Sequence, residues 1–222
     1  MSQRADALRD NDTRLVEYLQ SLTEAQWNHP SLCAEWTTHD VVAHLVIGYS
    51  ATLSSIAAAT LRHRGSFDPA NADMARTLAA QRDPHALVEG FIALTRHARG
   101  VGRVFPRRLL LGDHVIHELD ITCALGADST IPAPVLAAVL NTATQIPNPF
   151  VPARARARGL NLIATDTSWS RRTDGLTVNG QADHLVSVLA GRPWALQHLT
   201  GDGVPVLHSR IQPTPEARRD AP

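Results

Sequence analysis

An apolar run over residues 109–125, LLLGDHVIHELDITCAL, carries three ionisable side chains that helix packing alone would not need. They are Asp113, His117 and Asp120. On a helix of 3.6 residues per turn, the three residues fall on one side together with Leu109. Burying an unpaired carboxylate costs several kcal/mol, so this side of the helix needs a cation, partner side chains or water to compensate it.

The spacing of these residues fits metal binding. Asp113 and His117 are four residues apart, so both side chains can contact one ion, the carboxylate through oxygen and the neutral imidazole through nitrogen. The third candidate is His44, because its segment VVAHLVIGY is apolar on nearly every side and predicts a buried helix. Asp120 fits better as an acceptor for the N–H of a ligating histidine than as a fourth ligand, since catalytic zinc usually keeps one position open.

Each of these residues also has an ordinary structural interpretation. His44 could be a core histidine satisfied by one hydrogen bond, and Asp113 with His117 could be a helix ion pair that faces solvent. His114, three residues before His117, could be the partner of that histidine instead. Asp120 could pair with an arginine. Spacing alone therefore leaves a metal site and a purely structural set as alternatives.

Other catalytic motifs are absent from the sequence. The chain contains no GxSxG, no P-loop and no GxGxxG. The remaining histidines, among them His184 and His198, are interpreted as surface or capping residues, and Trp36 as a packing anchor that could wall a pocket. The candidate chemistry thus rests on the two helices that carry His44 and Asp113.

Composition and charge exclude several classes of partner. The chain has 222 residues, with 21 acidic and 21 basic side chains. This balance gives no field for a phosphate backbone, so no nucleic acid is expected as a partner. The sequence has no apolar stretch of about 18 residues and no apolar export signal, so we expect no membrane partner and a cytoplasmic location. Cys33 and Cys123 form no CxxC pair, which fits a reducing compartment.

Four helices are predicted in the first part of the chain from apolar residues at helical spacing and from capping signals. They run over residues 8–27, 39–64, 84–97 and 106–126. Thr37 with Asp40 forms a capping-box pattern before the second helix, and Asp83 with Pro84 is a start signal for the third. The segment RGSFDPANAD between them is predicted to be a polar turn. These elements predict an up-down four-helix bundle over residues 1–129.

The second part of the chain has a different pattern. Pro134 opens another helix, LNLIATDTSWS alternates as a strand does, and LTVNG is a candidate partner strand. A short helix over residues 183–190 ends at Gly191. We therefore expect a small α/β region over residues 130–207, followed by a flexible tail over residues 208–222, where Pro, Arg and Asp dominate.

Three segments resemble one protein family. SLCAEWTTHDVVAHL and DHVIHELDITCALG resemble the second-helix and fourth-helix motifs of the mycothiol-dependent maleylpyruvate isomerase family, part of the DinB-like superfamily, and ATDTSWS with LTVNGQADHLVSVLAGRPWALQHLTGDGVPVL resembles its closing segment. The resemblance implies a mainly α fold, a DinB-like up-down four-helix bundle followed by a small α/β C-terminal appendage. It also implies a divalent metal, typically zinc, held by His44, Asp113 and His117. The best-known members have Glu where this chain has Asp113, so its carboxylate is one methylene shorter.

The resemblance implies a zinc-dependent enzyme. A low-molecular-weight thiol, mycothiol or a similar molecule, would serve as nucleophile or cofactor for transfer to, or isomerisation of, a small electrophilic substrate, since zinc favours the thiolate at neutral pH. Asp120 is the predicted catalytic residue. Two alternatives stay open: a metal-dependent hydrolase with Asp120 or Glu118 as base, and a binding protein that performs no chemistry. A homodimer is compatible with the exposed faces of such a bundle.

Overall fold

The computed structural model describes residues 3–211, and the fold divides into two units between Asp128 and Ser129. The first unit is entirely helical in its described part. Its helices are α1 Gln3–Gln20, α2 Glu24–Trp27, α3 Thr38–Ser50, α4 Leu53–Arg62, α5 Phe67–Gln81, α6 Pro84–Arg96 and α7 Arg107–Thr122, with one 3₁₀ turn at Gly100–Arg103.

Four of these helices form a closed ring. Helix α1 contacts α6 and α7, and α3 contacts the same two helices from the other side. Leu15, Leu45, Phe91 and Leu119, one from each helix, are fully buried in the core. Helix α5 packs on α3, and α4 packs on α5. The apolar spacing that predicted these helices is therefore the spacing that builds the core.

The two capping predictions are confirmed. The Thr37 side chain accepts from the Asp40 backbone N–H, and Asp40 accepts from the Thr37 N–H, so α3 starts with a capping box. Helix α6 begins at Pro84, and the Asp83 carboxylate accepts from Ala86 N at 2.8 Å. These caps fix where the two helices begin.

The second predicted helix is wrong beyond residue 50. Helix α3 ends at Ser50, Ala51 is extended, and Thr52 caps a new helix through Ser55. The cause lies far along the chain, where Val101 N donates to Ala51 O at 2.8 Å. Gly100 permits this approach, because its φ is +49° and a Cβ there would lie 1.9 Å from Ala51 O. The first predicted helix is likewise divided, into α1 and α2.

The prediction of a polar turn between the second and third helices is also wrong, because residues 67–73 of this segment form the first half of α5. The buried face of α5 consists of Ala70, Ala75 and Ala79, which are too small to give a strong apolar signal. Pro69 lies in the first turn, where a missing N–H is tolerated. The unpredicted helix matters because it contributes Asn71 to the candidate site.

The second unit combines helices with a three-stranded sheet. Its elements are α8 Ala133–Gln145, α9 Ala153–Arg156, β1 Asn161–Ala164, β2 Ser170–Arg171, β3 Thr177–Gly180, α10 Ala182–Leu189, a 3₁₀ segment Pro193–His198 and α11 Val204–Ile211. The strand order is β2-β1-β3, with β1 antiparallel to β2 and parallel to β3. Helix α10 packs on α8. The predicted fold class, mainly α with a small α/β C-terminal part, is confirmed.

The predicted tail over residues 208–222 is wrong in its first four residues. Helix α11 continues to Ile211, Leu207 is buried, and Arg210 donates to the carbonyl oxygens of Arg156 and Arg158. Residues 212–222 lie outside the described residues. Within residues 3–211, no helix has both the length and the apolar character to cross a membrane.

Candidate metal centre

Helices α3 and α7 bring the three predicted ligands together. His44 Nε2 lies 3.8 Å from Asp113 Oδ2, and His117 Nε2 lies 3.7 Å from Asp113 Oδ1. Each of the three residues offers one ligand atom, and these three atoms lie within 4.8 Å of one another. Among the described residues, this is the only group of three or more His, Cys, Asp or Glu side chains with that geometry. Tetrahedral zinc ligands lie about 3.3 Å apart, so small side-chain shifts would let this trio hold one ion.

The first imidazole is oriented by a residue of α5. His44 Nδ1 lies 3.1 Å from Asn71 Oδ1, to which it can donate its proton. With Nδ1 protonated, the lone pair of the neutral ring is on Nε2, the nitrogen that faces Asp113. The Asn71 contact therefore selects the ring form and orientation that a metal requires.

The second imidazole has an equivalent partner on its own helix. His117 Nδ1 lies 3.0 Å from Asp120 Oδ2, and the Asp120 side chain is buried. Burial lowers the pKa of His117, although the Asp120 hydrogen bond and the Asp113 charge act in the opposite direction. The neutral imidazole, which is the ligating form, is thereby favoured. Asp120 occupies the position expected of an orienting residue, and a direct catalytic step by its carboxylate stays a prediction.

Asp113 is the most exposed of the three candidate ligands. Its side chain is 32% exposed, against 13% for His44 and 9% for His117. Burial would raise the pKa of the Asp113 carboxyl, but interaction with His44 and the charge of His117 outweigh it and hold that pKa well below its usual value. The carboxylate is therefore ionised at neutral pH, as metal ligation requires.

Trp36 covers the two imidazoles. Its ring centroid lies 5.2 Å from that of His44 and 6.0 Å from that of His117, nearly parallel to the latter at 26°. The two imidazole rings are 4.7 Å apart. Trp36 is itself buried, so it forms an apolar wall that limits water on one side of the candidate ligands.

Two other residues considered from the sequence bond to side chains other than the three candidate ligands. His114 Nδ1 binds Asp12 Oδ1 at 2.6 Å and is fully buried. The buried Glu118 carboxylate forms an ion pair with Arg14, whose Nη2 lies 2.6 Å from Oε2. Asn71 was not predicted, because no signal in the sequence marks its segment as a helix that packs on α3.

The comparisons with known proteins point to one family. Residues 8–107 match the model of the mycothiol maleylpyruvate isomerase N-terminal domain. The matched segment contains His44 and Asn71 and ends at the first residue of α7, before Asp113 and His117. A comparison with curated protein sequences gives no match.

Two solved structures share the fold. One is the crystal structure of the mycothiol-dependent maleylpyruvate isomerase, with a TM-score of 0.56 and 20% identity over 90% of this chain and 92% of that chain. The other is a histidine-to-alanine mutant of that isomerase, with a TM-score of 0.56, 19% identity and the same coverage. At these identities the likeness establishes a common fold.

Proposed function

We propose that the protein is a zinc-dependent, thiol-using enzyme. The premise is that residues 8–107 match the mycothiol maleylpyruvate isomerase N-terminal domain, as the sequence resemblance predicted. Its substrate would be a small electrophile, which it isomerises or to which it transfers the thiol. The observation that carries the proposal is the convergence of His44, Asp113 and His117, with the second nitrogen of both imidazoles already bonded.

The donor set fits a divalent metal such as zinc. Two neutral imidazoles and one carboxylate are a common protein ligand set for catalytic zinc, which keeps a further position for a substrate or cofactor. A zinc ion held by His44, Asp113 and His117 would act as a Lewis acid and lower the pKa of a bound thiol toward neutrality.

The chain's own residues define how a thiol and a substrate approach. Trp36 covers the imidazoles, while Asp113 is the most exposed ligand. The approach is therefore from the Asp113 side. Asn71 and Asp120 hold protons at the Nδ1 atoms of the two histidines, so neither ring can turn without losing a hydrogen bond.

The observations favour thiol chemistry over hydrolysis. Both carboxylates that the sequence suggested as hydrolytic bases are engaged, Asp120 with His117 and Glu118 with Arg14. The matched domain and the similar structures both carry mycothiol in their names, which favours mycothiol as the thiol and isomerisation as the reaction class. The thiol and the electrophile are the proposed partners; a cytoplasmic location and a homodimer stay predictions.

Metal analysis of the purified protein tests the proposal. We expect about one zinc per chain in the wild type, loss of that zinc in His117→Ala, and retention in His85→Ala, which changes an exposed histidine in the first turn of α6. Turnover of a panel of small electrophiles, maleylpyruvate included, should require mycothiol. Wild type that stays metal-free after zinc is added would overturn the proposal, and turnover that persists without thiol would favour the hydrolase.

A further inference from the structure

A buried polar network joins three helices beside the candidate metal centre. Tyr49 of α3 donates from its hydroxyl to Asp12 Oδ2 at 2.7 Å, and His114 of α7 binds Asp12 Oδ1 at 2.6 Å. Asp12 belongs to α1, and all three side chains are buried. One carboxylate thus accepts hydrogen bonds from two other helices at the same time.

This network lies close to the three candidate ligands along both helices. Tyr49 follows His44 by five residues on α3, and His114 directly follows Asp113 on α7. A displacement of α3 against α7 at the network would therefore also displace His44 relative to Asp113 and His117.

Two ring contacts fix the register of these helices. The rings of His44 and His117 lie 4.7 Å apart, and those of Tyr49 and His114 lie 5.1 Å apart. From the first contact to the second, α3 advances five residues from His44 to Tyr49, a rise of about 7.5 Å. Over the same step α7 goes back three residues, from His117 to His114, a rise of about 4.5 Å. The helices therefore run in opposite directions and are held at two levels. One contact alone would leave them able to slide or tilt about it.

We propose that Asp12, Tyr49 and His114 are positioning residues that set the distance between His44 and the Asp113 and His117 pair. This inference rests on the proposed metal site. Apolar side chains of similar size would fill the same volume, but hydrogen bonds depend on direction and length, and apolar contacts do not. The shared Asp12 carboxylate consequently allows one relative placement of α3 and α7.

A second polar link in the same unit provides a contrast. Arg14 of α1 and Glu118 of α7 also form an ion pair, and neither residue belongs to α3. Their ion pair joins α1 to α7, whereas the hydrogen bond of Tyr49 to Asp12 also includes α3. We therefore assign the positioning role to the network that contains Tyr49.

The test compares zinc affinity and cobalt absorption in matched variants. Tyr49→Phe keeps the ring and removes the hydroxyl, and Asp12→Asn keeps the shape and removes the charge. Leu87→Ala, at a buried position of α6 outside the network, is the control for loss of stability alone. Zinc affinity is measured by chelator competition, and visible absorption of the Co²⁺ protein reports ligand geometry, both below the melting temperature of every variant.

We expect Tyr49→Phe to bind zinc about 10-fold more weakly than the wild type, a loss typical of mutating residues that orient metal ligands. We also expect the Co²⁺ spectrum of this variant to differ from that of the wild type. Asp12→Asn should act in the same direction, while Leu87→Ala should melt earlier with unchanged affinity and spectrum. Wild-type affinity and spectrum in Tyr49→Phe would overturn the positioning role and leave the metal site intact. Wild type that binds no zinc would overturn the metal site and the role together.

Discussion

At the scale of single residues, the two imidazoles of the first unit share one arrangement. In His44 and in His117 the Nδ1 atom contacts a side-chain oxygen, from Asn71 and Asp120 respectively, and Nε2 faces Asp113. A core histidine needs only enough partners to satisfy its polar atoms. The common orientation of both rings toward one carboxylate supports the proposal that the two histidines are ligands.

The side-chain length of Asp113, the acidic candidate ligand, gives a test at this scale. The gaps between Asp113 and the two imidazole nitrogens, 3.8 and 3.7 Å, exceed the separation of about 3.3 Å between tetrahedral zinc ligands. Asp113→Glu adds one methylene and can shorten both gaps, so we expect zinc affinity equal to or tighter than that of the wild type. Asp113→Asn, with a neutral amide, should bind zinc at least about 10-fold more weakly.

Chelator competition on the three proteins measures these affinities, and melting curves without metal give the matched stability control. Equal zinc affinity in Asp113→Asn and the wild type would show that the carboxylate is not a ligand.

At the scale of elements, the site depends on helices that contact one another across long stretches of chain. Helix α7 carries two candidate ligands, α3 carries the third, and α5 adds the Asn71 partner. The 3₁₀ segment Gly100–Arg103 approaches the end of α3 closely, since a Cβ at Gly102 would lie 2.8 Å from the Tyr49 Cα. The end of the helix that carries His44 is therefore fixed by a turn more than fifty residues away.

Helix α10 of the second unit carries a histidine that was interpreted as a surface or capping residue. The His184 ring instead stacks on His198, with centroids 4.4 Å apart and an interplanar angle of 16°, and lies 5.6 Å from the Trp194 ring. Burial lowers the pKa of His184, the nearby His198 lowers it further, and Asp183 acts in the opposite direction. The folded unit therefore favours the neutral ring.

This stack predicts a pH dependence of stability. Because the unfolded chain has the ordinary histidine pKa of 6.5 and the folded unit a lower one, unfolding takes up a proton below pH 6.5, and stability falls as the pH falls. When the pH is lowered from 7.5 to 5, we expect the melting temperature of His184→Gln to fall less than that of the wild type. His208→Gln, an exposed position of α11, should behave as the wild type does. Identical pH profiles for all three proteins would contradict the assignment.

At the scale of the whole molecule, the candidate metal chemistry belongs to one unit. His44, Asp113 and His117, together with Asn71 and Asp120, all precede the division after residue 128. The second unit has its own sheet and its own buried residues. Metal binding should therefore stabilise the first unit directly.

Hydrogen exchange on the full chain tests this expectation. Zinc at a hundredfold excess over its Kd stabilises the state that binds it by about 2.7 kcal/mol, which slows exchange through opening of that state up to about 100-fold. We expect this protection in α3 and α7, the helices that carry the candidate ligands. His117→Ala should show no zinc-dependent protection in either helix. Exchange in α3 and α7 of the wild type that zinc leaves unchanged would contradict metal binding in the first unit.

The sequence by itself determined the features that depend on local spacing. Capping residues fixed the starts of α3 and α6, helical periodicity marked the ring of helices, and the four-residue interval between Asp113 and His117 put two candidate ligands on one side of α7. These follow from the geometry of a single helix, which is the same wherever the helix lies.

Only the tertiary structure decided which side chains meet across helices. The break at Ala51, helix α5 with Asn71, the cover provided by Trp36 and the Asp12 link between α1, α3 and α7 depend on contacts between distant segments. Small residues such as the alanines of α5 give almost no periodic signal, and a hydrogen bond across helices leaves no spacing rule in the chain. Their partners are set by how the helices pack, because packing selects one relative placement from many that the local pattern allows.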